Sequence, residues 1–126
     1  MQTLDVVAFI HEESKWTVTT AGLESSMTAS GRMITDTDRM SFVYLVEAGD
    51  HYMYLHFDHK DWKALSSISL NLAPVFLTDG TITLELVNFT EELLSLLHSI
   101  EGNENYGNRF VEETETIFKE FYDTLT

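Results

Sequence analysis

The runs MSFVYLV (40–46) and YMYLHF (52–57) flank the short link EAGDH (47–51). Both are rich in β-branched and aromatic residues, and the link carries a Gly and an Asp, so 40–57 reads as a β-hairpin. Phe42, Tyr44 and Val46 fall on one face of the first strand, Val43 and Leu45 on the other. Strands that are apolar on both sides belong inside a sheet with something packed on each face. Phe42, Tyr44, Leu45 and Leu55 are therefore the expected core.

Upstream, LDVVAFI (4–10) reads as one strand and KWTVTT (15–20) as a second, with the polar HEES segment turning between them. Residues 21–30 are small and polar and read as a loop. Gly31 to Ile34 make a short strand that stops at the turn TDTDR (35–39). Downstream, Asp58 is placed to cap a helix that buries Trp62, Leu65, Ile68 and Leu72 and ends before Pro74, the one proline. Residues 75–77 and 82–87 flank Asp79-Gly80, a strong hairpin signal. Asn88 or Thr90 caps the next helix, with Glu91 and Glu92 in its positive first turn and Leu93, Leu96, Leu97 and Ile100 along one face. Gly102 is the expected C-cap. From about Arg109 a last helix carries Phe110, Ile117, Phe121 and Leu125 at helical spacing, with Val111, Phe118 and Tyr122 beside them. Hairpins followed by helices predict an α+β fold over residues 1–126 as one domain. Its sheet is mostly antiparallel, with about three helices, the last two consecutive at the C-terminus.

The composition bounds the function. The 126 residues are 44% hydrophobic, with eight Phe, five Tyr and two Trp, enough to bury a core without staples. There is no cysteine, which removes disulfides, thiolate metal sites and a cysteine nucleophile. The N-terminal segment has no basic region before its apolar run, so it reads as neither a signal peptide nor a spanning helix, and the cytoplasm is the expected location. The formal charge of −14 comes from 21 acidic against seven basic residues. No Lys or Arg occurs between Lys63 and Arg109. Such a surface repels phosphate backbones and anionic membranes, so direct nucleic-acid and membrane binding are not expected, and a basic protein partner is.

The segments GRMITDTDRMSFVYLVEAGDHYMYL (31–55), NFTEELLSLL (88–97) and IEGNENYG (100–107) with FVEETETIF (110–118) resemble the YjbL-like family of Bacillus, Staphylococcus and their relatives, short proteins of unknown function. The resemblance implies a firmicute cytoplasmic protein and supplies no reaction.

Four groups of residues are candidate sites. Asp36 and Asp38, with Arg32 and Arg39 near, could hold a hard cation such as Mg²⁺. A self-bonded turn with surface ion pairs is the preferred account of the same residues. His51, His56 and His59, with Asp58 and Asp61, lack the helical spacing of a zinc site and read as exposed histidines beside a capping Asp. EGNENYGN (101–108) can bend so that its N–H groups form an anion nest, with Asn103 and Asn105 in the bend and Tyr106 free to stack. The last helix carries Glu112, Glu113, Glu115, Glu120 and Asp123 opposite its apolar stripe, a solvated face or a docking surface for a basic partner. No nucleophile elbow or phosphate loop is present, and nothing points to a metal or cofactor. The expected function is a non-enzymatic binding or regulatory module acting through protein contacts, with the 101–108 loop and the acidic face of the last helix as its working surface. The alternatives are a small divalent-metal-dependent hydrolase using Asp36, Asp38 and a histidine, and an acidic nucleic-acid mimic.

Overall fold

The computed structural model describes residues 2–125. Eight strands run in chain order as β1 (Thr3–Asp5), β2 (Ala8–Glu12), β3 (Lys15–Thr19), β4 (Thr28–Asp36), β5 (Ser41–Ala48), β6 (His51–Asp58), β7 (Val75–Thr78) and β8 (Thr83–Glu85). The helices are α1 (Trp62–Asn71), α2 (Phe89–Ile100), α3 (Asn108–Ile117) and α4 (Lys119–Asp123). The fold is α+β, as its hairpins and helices predicted.

β5 and β6 pair antiparallel from Ser41↔Asp58 to Ala48↔His51, closed by the two-residue turn Gly49-Asp50. Gly49 has φ +68°, the positive value that the first position of a II′ turn requires. β7 and β8 form the second expected hairpin. There Asp79 Oδ1 accepts from the amides of Thr81 and Ile82 and fixes the turn.

The strands make two mixed sheets, in the orders β1-β6-β5-β4 and β2-β3-β7-β8. Four of the six pairings are antiparallel; β1–β6 and β3–β7 are parallel. The predicted strand 4–10 is two strands in different sheets. Val6 and Val7 make the crossing, and Val7 donates to Thr19 O at 2.7 Å. Apart from Asp5 the run is apolar, and Val6 and Val7 at the crossing carry no mark of the switch. β4 begins earlier than Gly31, because a bulge between Ala29 and Met33 lets Gly31, at φ +76°, keep the small polar residues in the ladder.

The helices differ from expectation at their ends. Asp58 makes no capping bond: a 3₁₀ turn (His59–Asp61) precedes α1, and the Asp58 carboxylate binds Arg39 instead. Leu72, expected in the core, is 69% exposed, because it ends α1 in left-handed conformation with φ +47° and its side chain leaves the helical stripe. Asn88 sits at the start of α2 without a side-chain cap. Gly102, at φ +66°, follows the end of α2 as expected. The predicted terminal helix breaks at Phe118 into α3 and α4, which folds Phe118, Phe121 and Tyr122 back into the core and leaves Leu125 exposed.

One connected core takes Leu4, Met33, Phe42, Tyr44, Val46, Leu55 and Phe57 from the first sheet and Trp16, Val18, Val75 and Leu77 from the second. Trp62 of α1, Phe89 of α2, Phe110 of α3 and Tyr122 of α4 close it. Among the described residues no helix is long and apolar enough to cross a membrane.

Candidate functional site

The side-chain alternation that sends Phe42 and Tyr44 into the core sends Ser41, Val43 and Leu45 to the opposite face of β5. Cross-strand register lines up rows on that face: Asp36, Ser41 and Asp58 in one, and Ile34, Val43, His56 and Asp5 in the next. Leu45 and Tyr54 begin a third. Val43 and Leu45 are buried yet stand outside the connected core, while Ile34 and Tyr52 remain exposed. The centre of this face is therefore buried, as expected for both faces of the hairpin, but it stands outside the connected core and its margin opens to solvent at Ile34 and Tyr52.

A depression of about 330 Å³ lies on this face, lined by Ile34, Asp36, Val43, Tyr54 and His56. Beside it Arg39 reaches from the β4–β5 turn across the sheet. Its Nε and Nη2 donate to the two oxygens of Asp58 at 2.9 and 3.1 Å, and Nη2 donates to Asp5 at 2.9 Å. The guanidinium thus ties β5 to β6 and to the three-residue edge strand β1. The Asp58 hydrogen bond raises the Arg39 pKa above its ordinary value. Burial pushes Asp58 upward, but its bonds with Arg39 outweigh that and hold its carboxyl below the usual range.

His56, expected on the surface, is 3% exposed. Its Nδ1 lies 3.1 Å from Ser41 Oγ, and that hydroxyl donates to the Phe42 carbonyl. The tautomer with its proton on Nδ1 fits this arrangement, because Oγ can then accept from it and the lone pair falls on Nε2, which is buried without a hydrogen-bond partner. A serine beside a histidine is the start of a nucleophile–base pair, but Ser41 is fully buried and beyond the reach of a substrate. Desolvation and the nearby Arg39 lower the His56 pKa, against the opposing pull of Asp58, Asp36 and Asp5. The folded protein therefore binds this proton less readily than the unfolded chain, whose imidazoles titrate near 6.5. Stability held above that pH is lost as pH falls below it. We expect the urea midpoint of the wild type to drop more between pH 7.5 and pH 5.5 than that of His56→Gln. Equal drops in the two proteins would show that His56 is not the group responsible.

Asp36 closes β4, and its Oδ1 accepts from the Arg39 amide at 3.2 Å, the turn expected of it. Asp38 lies exposed in the same turn and Arg32 exposed on β4. The Arg39 side chain pairs with Asp58 and Asp5 rather than with the turn acids. His51 Nδ1 lies 3.2 Å from its neighbour Asp50, and His59 Nε2 meets Glu113 Oε1 at 2.7 Å, joining the 3₁₀ turn to α3. Among the described residues no three His, Cys, Asp or Glu side chains gather as a metal ion requires.

The 101–108 loop forms an N–H-rich bend filled by the protein itself. The Gly102 amide donates to Glu115 Oε2 at 2.8 Å, and the Asn105 amide to Asn103 Oδ1 at 3.1 Å. The amides of Tyr106 and Gly107 donate to Asn103 O and Glu104 O. Tyr106 is half-buried and stacks on Phe110, with centroids 6.2 Å apart. Glu112 is exposed and lines a shallow hollow with Glu104, Val111 and Glu115, while Glu113 points to His59. Sequence reasoning grouped His56 with His51 and His59 and missed Tyr54, which shares the face of His56 at alternate positions of β6.

Residues 4–118 match UPF0738, described as a family of unknown function. A UPF0738 protein of Lysinibacillus sphaericus is 32% identical over 117 residues, 93% of this chain and 92% of that protein. The UPF0738 protein YjbL of Bacillus subtilis is 35% identical over 99 residues, covering 79% of this chain and 81% of its own. A UPF0738 protein of Bacillus licheniformis is 37% identical over 89 residues, 71% of this chain and 74% of that one. The match takes in the N-terminal strands and the 58–80 region as well as the segments that carried the resemblance. No solved structure matches the chain.

Proposed function

We propose that this chain, which belongs to the UPF0738 family, is a non-enzymatic cytoplasmic binding or regulatory module that docks a basic protein partner on the open face of the first sheet. The observation that carries this reading is the apolar strip of Ile34, Val43 and Tyr54, left without a covering layer and bordered by Asp5, Asp36 and Asp58. An apolar centre with a charged rim is the usual anatomy of a protein interface. An excess of acidic side chains steers a cationic partner toward such a rim. Arg32 lies midway along β4 and Asp38 in the turn that follows it.

The 101–108 loop with Glu112 and Glu113 is the other surface considered for this partner. It is the weaker of the two, because its amides are occupied by internal acceptors and Tyr106 is held on Phe110.

Affinity capture with cross-linking compares the two surfaces. The wild type is expected to capture a basic protein at low ionic strength and to lose it as salt rises, because exposed charges are screened over about 8–10 Å. Ile34→Ser with Tyr54→Ala is expected to abolish that capture with the fold intact. Tyr106→Ala with Glu112→Gln and Glu113→Gln is expected to retain it. The reverse result would move the site to the loop and α3.

A further inference from the structure

The depression on the open face has more chemistry than an apolar seam needs. Its volume of about 330 Å³ is at the bottom of the range of ligand pockets, roughly 300–1,000 Å³, and suits a single side chain. Its walls divide by character: Ile34, Val43 and Tyr54 supply apolar and aromatic surface, Asp36 a carboxylate, and His56 an imidazole. His56 Nε2 has no hydrogen-bond partner, although such a buried acceptor ordinarily has one. The neighbouring charges are Asp5, Asp36 and Asp58 against Arg39, whose guanidinium is held by Asp58 and Asp5. Three carboxylates facing one guanidinium leave a local excess of negative charge.

We propose that this depression seats an arginine side chain of the basic partner, its stem against Ile34, Val43 and Tyr54 and its guanidinium on Asp36 and His56. The proposal rests on the open face being the docking surface and adds what recognises the partner there. Arginine suits the seat better than lysine. Its guanidinium is weakly hydrated, lies flat on an aromatic ring and directs several N–H donors outward in a plane. One donor meets the free Asp36 oxygen and another the Nε2 lone pair. Because Nε2 has no exposed surface of its own, the second contact forms only when a lining side chain turns aside. Protonated His56 would present a cation to the incoming guanidinium, so binding weakens as pH falls.

Amide-resolved NMR titration with N-acetyl-arginine amide tests the seat, with N-acetyl-citrulline amide as the uncharged isostere. Arginine amide is expected to shift Ile34, Val43 and the His56 imidazole nitrogens, and citrulline amide to bind about tenfold more weakly, the loss of one charge-assisted contact. Asp36→Asn keeps the acceptor for the Arg39 amide and hence the turn. It is expected to weaken arginine binding by a similar factor. Equal shifts from both probes, or no effect of Asp36→Asn, would overturn the seat. A third probe separates this from the broader reading: a short Arg- and Lys-rich peptide. Shifts across β4–β6 with that peptide, insensitive to Asp36→Asn, would reject the arginine seat and leave the docking face standing. No shifts on that face with any probe would reject both.

Discussion

Replacing Phe42 by Ala is expected to destabilise the protein by about 3–5 kcal/mol, the range for truncating a buried Phe. Phe42 is fully buried near the start of β5, an inner strand of the first sheet, and stands where three helical segments meet. Its ring lies 5.1 Å from that of Trp62, 5.6 Å from Phe110 and 5.8 Å from Phe118. Those rings belong to α1, α3 and the break before α4, so no single element can move in to fill the hole. Domains of this kind hold a total of about 5–15 kcal/mol, so the loss is a large part of the whole. With a urea slope of about 1–3 kcal/mol per molar, the midpoint should fall by 1 M or more. An unchanged midpoint would mean that β5 is not the central strand.

Tyr44→Phe removes a single oxygen and is expected to cost about 2–3 kcal/mol, because two backbone groups depend on that oxygen. The hydroxyl donates to Val87 O at 2.7 Å and accepts from the Gly31 amide at 3.0 Å. It pins the bulge of β4 and the segment entering α2 to the middle of β5. Without it the Val87 carbonyl and the Gly31 amide lose their partner. Urea unfolding reads the total, and hydrogen exchange at Gly31 reads the local part, which should lose protection. Unaltered exchange at Gly31 would show that the amide is held by something else. Burial also pushes the Tyr44 phenol up to about 12. Because the folded value lies above the unfolded one, near 10, this stabilisation is intact below pH 10 and fades as pH rises toward 12. Tyr44→Phe should lack that alkaline component.

The two hairpins were legible because turn chemistry is local. Gly49 and Gly80 supply positive φ and Asp79 holds its own turn, and each of these effects needs only neighbours in sequence. The inward faces of α2 and α3 were legible for the same reason: Leu93, Leu97 and Ile100, or Phe110 and Ile117, share a side at helical spacing whatever they pack against. β4 was legible in part. Its N-terminal half is small and polar, and what keeps it in the ladder is a bulge braced by Tyr44, thirteen residues away from Gly31.

The candidate site was legible only in fragments. Asp36 and Arg39 stood out as charges in a turn, but the true partners of the Arg39 side chain are Asp58 and Asp5, 19 and 34 residues distant. The nest of 101–108 was readable from its Gly and Asn content. That the anion in it is the protein's own Glu115 depends on how α3 folds back, 13 residues later. The burial of His56 and the depression beside it had no sequence signature beyond an imidazole in a strand.

From its sequence alone this chain is an acidic α+β protein with a β5–β6 hairpin at its centre, amphipathic helices behind it and a recognisable family. Those properties follow from composition and from backbone preferences that act within a few residues. Only the tertiary structure decided that residues 3–12 divide between two sheets, that two pairings run parallel, and that the face of Val43, Tyr54 and His56 stays open. A strand that is apolar on both sides shows how much surface it offers for burial, not which layers arrive to cover it. That depends on the path of the whole chain and on contacts between residues far apart in sequence.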